Sequence, residues 1–347
     1  MKCIKTTEAV GHILCHDITR IVPGKFKGAA FKKGHVVREE DIPILLDMGK
    51  ENLYVWERTK GMLHEDEAAE ALKKLCIGES NPSFIAGVPS EGKIEITALA
   101  DGLLKVNSDA LKAVNLQGEM MIATRHGNYP VRKGESVAAM RIIPLVIESQ
   151  KLQKAKDECM KYFRGGENAI LSILAFKPKK IGIIVTGSEV SCGRIEDKFS
   201  PVMVSKLKEY DYEVSKISFC SDNQEEIVSE LANMERLGFD LVMCTGGMSV
   251  DPDDKTPGAI KAFGADILSY GAPVLPGAMF LLGYKGEMTV LGVPGCAMYN
   301  RRTVLDLILP RVLCDDVVTK EELAEYAEGG LCLGCRECHF PNCGFGK

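Results

Sequence analysis

The stretch TGGMSVDPDDKTPGAI, Thr245 to Ile260, decides the reading of this chain. It follows DLVMC (Asp240 to Cys244), an apolar run that reads as a buried strand, and it opens into a helix starting near Thr256-Pro257. A strand that ends in Gly-Gly and leads to a helix N-terminus builds an anion site. Glycine lets the backbone approach a ligand, and the free N–H groups of the first helical turn point at it. Asp251, Asp253 and Asp254 crowd the same loop. Acids beside an anion pocket require a divalent cation between them, so the loop reads as a site for a phosphorylated ligand with Mg²⁺. The bland alternative is a solvated acidic turn that caps a helix.

Outward from this loop the chain alternates. Ile181 to Val185 reads as a strand followed by the turn Thr186-Gly187-Ser188, and a helix is predicted over Pro201 to Tyr210 with Ser200 as its N-cap. A second strand, Glu213 to Phe219, leads through Asp222-Asn223 to a helix carrying Ile227, Val228, Leu231 and Met234 at helical spacing. Strand, helix, strand, helix, strand implies a parallel sheet with crossover helices, and such sheets bind ligands at the carboxyl ends of their strands. Thr186 and Thr245 both stand at such ends. Further on, Met288 to Val293 reads as a strand ending in Pro294-Gly295, and GAPVLPG ends in Pro276-Gly277, so both Pro-Gly turns are candidate walls of one cleft. Met298 to Leu313 reads as a helix broken by Pro310.

The remainder is less legible. Residues 1–60 are expected to form a small α+β segment with a helix at Glu39 to Met48. Residues 61–147 hold a helix near 66–76 and then short alternating runs such as KIEITAL, expected as a β-rich barrel or sandwich. Residues 148–178 read as a helical connector, 179–315 as the α/β domain and 316–347 as a cysteine-rich tail. The 347 residues carry a net charge of −5, which argues against nucleic acid as a partner. No apolar run approaches the roughly 20 residues of a membrane span, and MKCIKTTEAVGHIL lacks an apolar signal core; a cytoplasmic protein is expected.

Three ordered motifs carry a resemblance: TGSEVSCGRIEDKFSPVM (from Thr186), DNQEEI (Asp222 to Ile227) and TGGMSVDPDDKTPGA. From about Ile181 to Leu313 the chain resembles the molybdopterin-binding domain of molybdenum-cofactor biosynthesis proteins. The resemblance implies a three-layer α/β sandwich with a mostly parallel sheet, molybdopterin as ligand, and Mg²⁺ chemistry toward ATP or molybdate in a transferase. It further implies that Thr186, Gly187, Ser188 and Glu189 line one side of the pocket, and Thr245, Gly246, Gly247, Met248 and Ser249 the other. Asp197 and Asp222 fall on acidic positions of the family pattern, and Pro276, Gly277, Pro294 and Gly295 on its extension. Asp254 is then the first catalytic candidate, with Asp253 as a further metal ligand and Glu189 next. VLPGAMFLLGY and VLGVPGCAMYNRR are similar to the molybdotransferase branch, which has lysine-proline where this chain has Ala278-Met279, and asparagine-proline where it has Cys296-Ala297. Arg301 and Arg302 are substitute cations for the missing lysine. FKGAAFKKGHVVREEDIPILLDMGKENLYVWER (Phe26 to Arg58) is similar to a segment that in that branch directly precedes the pterin domain. A non-catalytic pterin carrier or sensor is the alternative reading. PDDKT is also similar to competence-damage-inducible proteins, whose related domain implies a metal-dependent nucleotide pyrophosphatase. A homo-oligomer is expected.

Of 13 cysteines, nine are scattered and read mostly as small buried hydrophobes. The other four, Cys332, Cys335, Cys338 and Cys343, follow a C-x2-C-x2-C-x4-C pattern with His339 among them. Thiolates at such gaps suit a zinc ion or an iron–sulfur cluster, which spacing does not separate. The competing reading is a disordered, reduced tail.

Overall fold

Strand β1 (Ile181–Thr186), buried at every position, is the strand on which the C-terminal half is built. The computed structural model describes residues 2–22, 26–55, 60–166, 168–249, 251 and 254–347. The chain folds as two compact units, one of residues 1–100, 105–125 and 131–172, the other of residues 101–104, 126–130 and 173–347.

In the second unit β1 is joined by β2 (Val214–Cys220), β3 (Leu241–Thr245), β4 (Asp266–Tyr270), β5 (Leu281–Lys285) and β6 (Met288–Val293). The order is β2-β1-β3-β6-β5-β4. The first four strands run parallel; β5 is antiparallel to β6, and β4, paired antiparallel with β5 at the edge, again runs in the direction of the first four. Side chains alternate between faces, as the pleat requires. The short α1 (Ser188–Ser191) follows β1 directly, and Ile181, Ile183, Val185, Leu241 and Met243 point into a core shared with α2 (Phe199–Lys208) and α5 (Val304–Leu313). Ile184, Val242 and Cys244 point into the opposite core, built with α3 (Gln224–Arg236) and α4 (Thr256–Ala262). This is the three-layer sandwich expected. The near-continuous apolar runs of β1, β3 and β6 follow from burial on both faces. Register pairs Val185 with Thr245, Thr245 with Val293 and Thr186 with Cys220. The loops after all four parallel strands therefore leave from one edge of the sheet.

Two local expectations need correction. Ser200 is not the N-cap of α2 but lies inside it; Asp197 accepts the Phe199 and Ser200 N–H groups at 2.8 and 3.1 Å and also bonds the Ser200 hydroxyl. Pro310 does not break its helix. The ten residues of α5 are all buried, and a capping box between Thr303 and Asp306 fixes the start. One missing N–H in the last turn is a small loss against that burial. Residues 295–298 form a separate 3-10 turn before it.

In the first unit, Lys2–Lys5 pairs antiparallel with Asn52–Val55, and Ile18–Val22 with Phe26–Phe31. Leu14, Ile18, Phe31, Val37, Leu45, Leu53 and Val55 form the core beneath them. A four-stranded antiparallel sheet follows, in the order Phe84–Ala86, Lys93–Ala98, Ser136–Ile142, Met120–Thr124. The region is β-rich as expected, yet it is neither a barrel nor a sandwich of sheets, because helices Glu65–Ile77 and Ser108–Asn115 pack on the sheet. Helix Ser149–Met160, expected as a connector, packs on both of these helices through Leu152, Ala155 and Cys159.

Candidate functional site

The loop after β3 is held from beneath by threonines. The Thr186 hydroxyl donates to the Thr245 carbonyl at 3.2 Å, and the Thr256 hydroxyl donates to the Gly246 carbonyl at 2.8 Å. The two hydroxyls lie 3.2 Å apart, and all three threonines are buried. The Thr245 hydroxyl is itself buried with no partner among the described residues. Gly246 and Gly247 adopt φ of 88° and 52°, in the left-handed region. A Cβ on Gly246 would sit 2.2 Å from the Thr186 carbonyl oxygen. Glycine is thus required here by backbone crossing backbone, a reason the motif alone does not reveal.

Among the described residues the N–H groups of Gly247, Met248 and Ser249 carry no hydrogen bond. Successive free N–H groups in a left-handed turn form an anion-binding concavity. The first turn of α4 contributes less than the sequence suggested. Thr256 N–H is spent on the Gly247 carbonyl, Ala259 N–H on Lys255, and Pro257 has none. Among the described residues Gly258 N–H is left without a bond, but no residue of α4 lines the cleft described below, whose donors are those of the Gly-Gly loop.

Tyr270 on β4, missed in the sequence, donates from its hydroxyl to the Met248 carbonyl at 2.8 Å and the Ser249 carbonyl at 3.3 Å. Burial and the nearby Asp254 raise its phenol above the ordinary range, so it stays a donor at neutral pH. Asp254 closes the other side: its carboxylate accepts the Asp251 N–H at 3.3 Å while its own N–H bonds the Asp251 carbonyl at 2.9 Å. Asp253 lies outside the described residues.

These groups face a cleft of about 640 Å³. Gly246 to Ser249, Asp251 and Asp254 line one side, and both Pro-Gly turns, Pro276-Gly277 and Pro294-Gly295, line the other with Ala278, Met279 and Cys296. The Gly277 turn is pinned to α5, where Val304 N–H donates to the Pro276 carbonyl at 3.2 Å. Phe199 also lines the cleft and had no signal in the sequence beyond its place in TGSEVSCGRIEDKFSPVM. The described lining residues include two carboxylates and no lysine or arginine.

Other candidates stand elsewhere. Ser188 donates its N–H and hydroxyl to Asp222 at 2.8 and 2.9 Å, tying the turn after β1 to the turn after β2. Gly187 and the exposed Glu189 belong to that turn, which leaves the sheet one strand away from the Gly-Gly loop and does not line the cleft. Asp197 caps α2, as above. Arg302 is committed to Glu209 and Asp306 at 2.7 and 2.8 Å, and Arg301 donates to the Arg336 carbonyl at 3.3 Å. Neither arginine lines the cleft, so neither replaces the missing lysine there.

The tail is ordered rather than loose. Leu275 N–H donates to the Gly330 carbonyl and Cys332 N–H to the Leu275 carbonyl, both at 2.8 Å, and Phe345 is buried in the α2–α5 core. Among the described residues no group of three or more His, Cys, Asp or Glu side chains is placed to hold a metal ion. As described, Cys332, Cys335, Cys338 and Cys343 are not gathered into the zinc or iron–sulfur ligand set that their spacing suggested. Two-residue gaps bring thiolates together on a metal only when the loop curls around a centre. Of the nine scattered cysteines six are buried; burial pushes the Cys220 and Cys244 thiols up to about 11 and about 12.

Known proteins share part of this chain. Residues 182–313 match the family described as "Probable molybdopterin binding domain", and residues 3–57 match a domain of unknown function. A CinA-like protein of Mycobacterium sp. (strain JLS) is 34% identical over 84 residues, 24% of this chain and 20% of that protein. Its counterpart in Mycobacterium tuberculosis (strain ATCC 25618 / H37Rv) is 35% identical over 77 residues, 22% and 18% of the two chains. The chain thus spans about a fifth of the length of these curated relatives. Among solved structures, the molybdopterin biosynthesis enzyme MoaB from Thermus thermophilus is similar at 21% identity, covering 39% of this chain and 91% of that one, with a TM-score of 0.33. The tungsten cofactor synthesizing protein MoaB from Pyrococcus furiosus is similar at 20% identity, covering 41% and 99%, with a TM-score of 0.34. No described helix is long and apolar enough to cross a membrane. Residues 182–313 are thus similar to a probable molybdopterin-binding domain.

Proposed function

We propose that this chain binds molybdopterin in the cleft after β3 and β6 and serves the assembly of the molybdenum cofactor. The observation that carries the reading is the run of unbonded N–H groups at Gly247, Met248 and Ser249 facing a cleft of about 640 Å³. Those donors hold the ligand's phosphate, and the Pro-Gly turns with Phe199 and Met279 enclose its ring system. Glu189 and Ser188, on the neighbouring turn outside the cleft, are left by resemblance as partners for any part of the ligand that extends beyond it. Because Asp251 and Asp254 line the same space and the described lining includes no lysine or arginine, a phosphate there calls for Mg²⁺ to offset like charge. Mg²⁺ would polarise the phosphoryl oxygens, with Asp254 as its first ligand and Asp253 as a second.

Whether a group is then transferred turns on Ala278-Met279. Both line the cleft where the molybdotransferase branch has lysine-proline. An apolar wall does not hold an oxyanion, which favours carriage of the pterin over molybdate insertion and leaves adenylyl transfer from ATP as the catalytic variant. We further propose that the protein works as a homo-oligomer in the cytoplasm.

The test is equilibrium binding of molybdopterin under anaerobic conditions, with Mg²⁺ and with chelator. Chelation and Asp254→Ala should each weaken binding at least tenfold, and addition of ATP or molybdate shows whether turnover follows. Unchanged binding in both cases would contradict the metal assignment. A second reading, a metal-dependent nucleotide pyrophosphatase, is favoured by the match to CinA-like proteins. Hydrolysis of ADP-ribose with no affinity for pterin would replace the first reading by this one.

A further inference from the structure

The ordered tail encloses a second cavity of about 570 Å³, which the pterin reading does not use. Tyr299, Arg301, Arg336, Cys335, His339 and Phe340 are among its lining residues, and the described lining includes no Asp or Glu. In a chain of net charge −5 that is a marked local reversal. Arg302 also lines it, but its charge is already matched by Glu209 and Asp306, and its guanidinium lies 4.9 Å over the Phe340 ring. Arg301 and Arg336 differ: among the described residues neither forms an ion pair. Tyr299 is 84% exposed, an aromatic ring at the rim with little packed against it.

From this we infer that the tail cavity is a second binding site, for an aromatic phosphate of mononucleotide size. Its volume falls in the roughly 300–1,000 Å³ range of small-molecule pockets. Arginine suits a phosphate because its planar donors match the oxygens in pairs. Tyr299 offers a face on which a heterocycle stacks without regard to base identity. The absence of carboxylates from the described lining distinguishes this cavity from the neighbouring cleft, so the phosphate needs no metal here. The four thiols form a polarisable part of the wall and report on occupancy.

The experiment uses the intact protein and AMP as probe, following maleimide modification of individual cysteines by mass spectrometry. Saturating AMP should slow modification of Cys335 at least tenfold, whether or not Cys296 in the cleft is shielded too, and leave Cys3 unaffected. Adenosine and inorganic phosphate, each lacking half of the ligand, should protect at least tenfold less strongly at equal concentration. Tyr299→Ala and Arg336→Ala should abolish the protection, while Tyr299→Phe and Arg336→Lys retain most of it in proteins with unchanged circular dichroism. Shielding of Cys296 alone, no shielding of Cys335, or equal protection by phosphate alone would overturn the proposal.

Discussion

The two cavities of the C-terminal unit are built from opposite chemistry. The cleft after β3 presents main-chain N–H groups, glycines, prolines and two carboxylates, with no cationic side chain among its described lining. The tail cavity presents arginines, aromatic rings and thiols, with no carboxylate among its described lining. Pro276 lines both. Main-chain recognition depends on backbone path, so it is set by glycine positions and by the threonines that brace them. Side-chain recognition depends on a few replaceable groups on a loop. The first should fail abruptly when a glycine changes, and the second by degrees.

The largest effect is expected where both cavities share a foundation. Asp306 is buried, bonds the Lys206 ammonium at 2.7 and 2.9 Å, caps α5 and pairs with Arg302. Asp306→Ala leaves a buried lysine without its carboxylate and should cost about 3–5 kcal/mol, with both sites lost, measured by denaturant unfolding. Gly246→Ala should come next. Its Cβ collides with the Thr186 carbonyl at a positive φ, so a loss of about 2–3 kcal/mol and of pterin binding is expected, with AMP protection of Cys335 retained. Retained pterin binding would break the distinction between the cavities. Tyr270→Phe removes the bond that anchors Met248 and Ser249 and should cost about 1 kcal/mol, read as a small fall in Tm and a modest weakening of pterin. The smallest perturbation is chemical labelling itself. Because burial raises the Cys244 thiol to about 12 and the Cys220 thiol to about 11, both stay almost wholly protonated at pH 8. Native protein should label at Cys3, Cys192 and Cys335 and spare these two; their modification below pH 9 would contradict the burial described.

The same contrast explains what the sequence disclosed. The parallel strands were legible because burial on both faces forces continuous apolar runs, as in IGIIVT, and the Gly-Gly loop because a left-handed turn restricts the residue type. Gly246 to Ser249, Asp254 and both Pro-Gly turns come together in the cleft. Thr186, Asp197 and Asp222 do not line it; they brace turns and cap helices, and hydrogen-bonding side chains at such positions look alike in sequence whichever task they perform. Tyr270 was hidden because it comes from an edge strand whose neighbour is fixed only by the sheet order. The cysteine spacing alone does not fix a metal site, because local gaps say which thiols are near in sequence, not whether the loop curls around a centre. Antiparallel sheet covered by helices in the first unit escaped recognition because short alternating strands are shared by barrels and open sheets alike.

The central claim is tested most directly by purifying the protein anaerobically from a cofactor-producing host and measuring released pterin by fluorescence after oxidation. The expected result is about one pterin per chain, reduced to background by Gly246→Ala. No pterin on the native protein, or equal pterin on both, would contradict the assignment of the Gly-Gly cleft as its site.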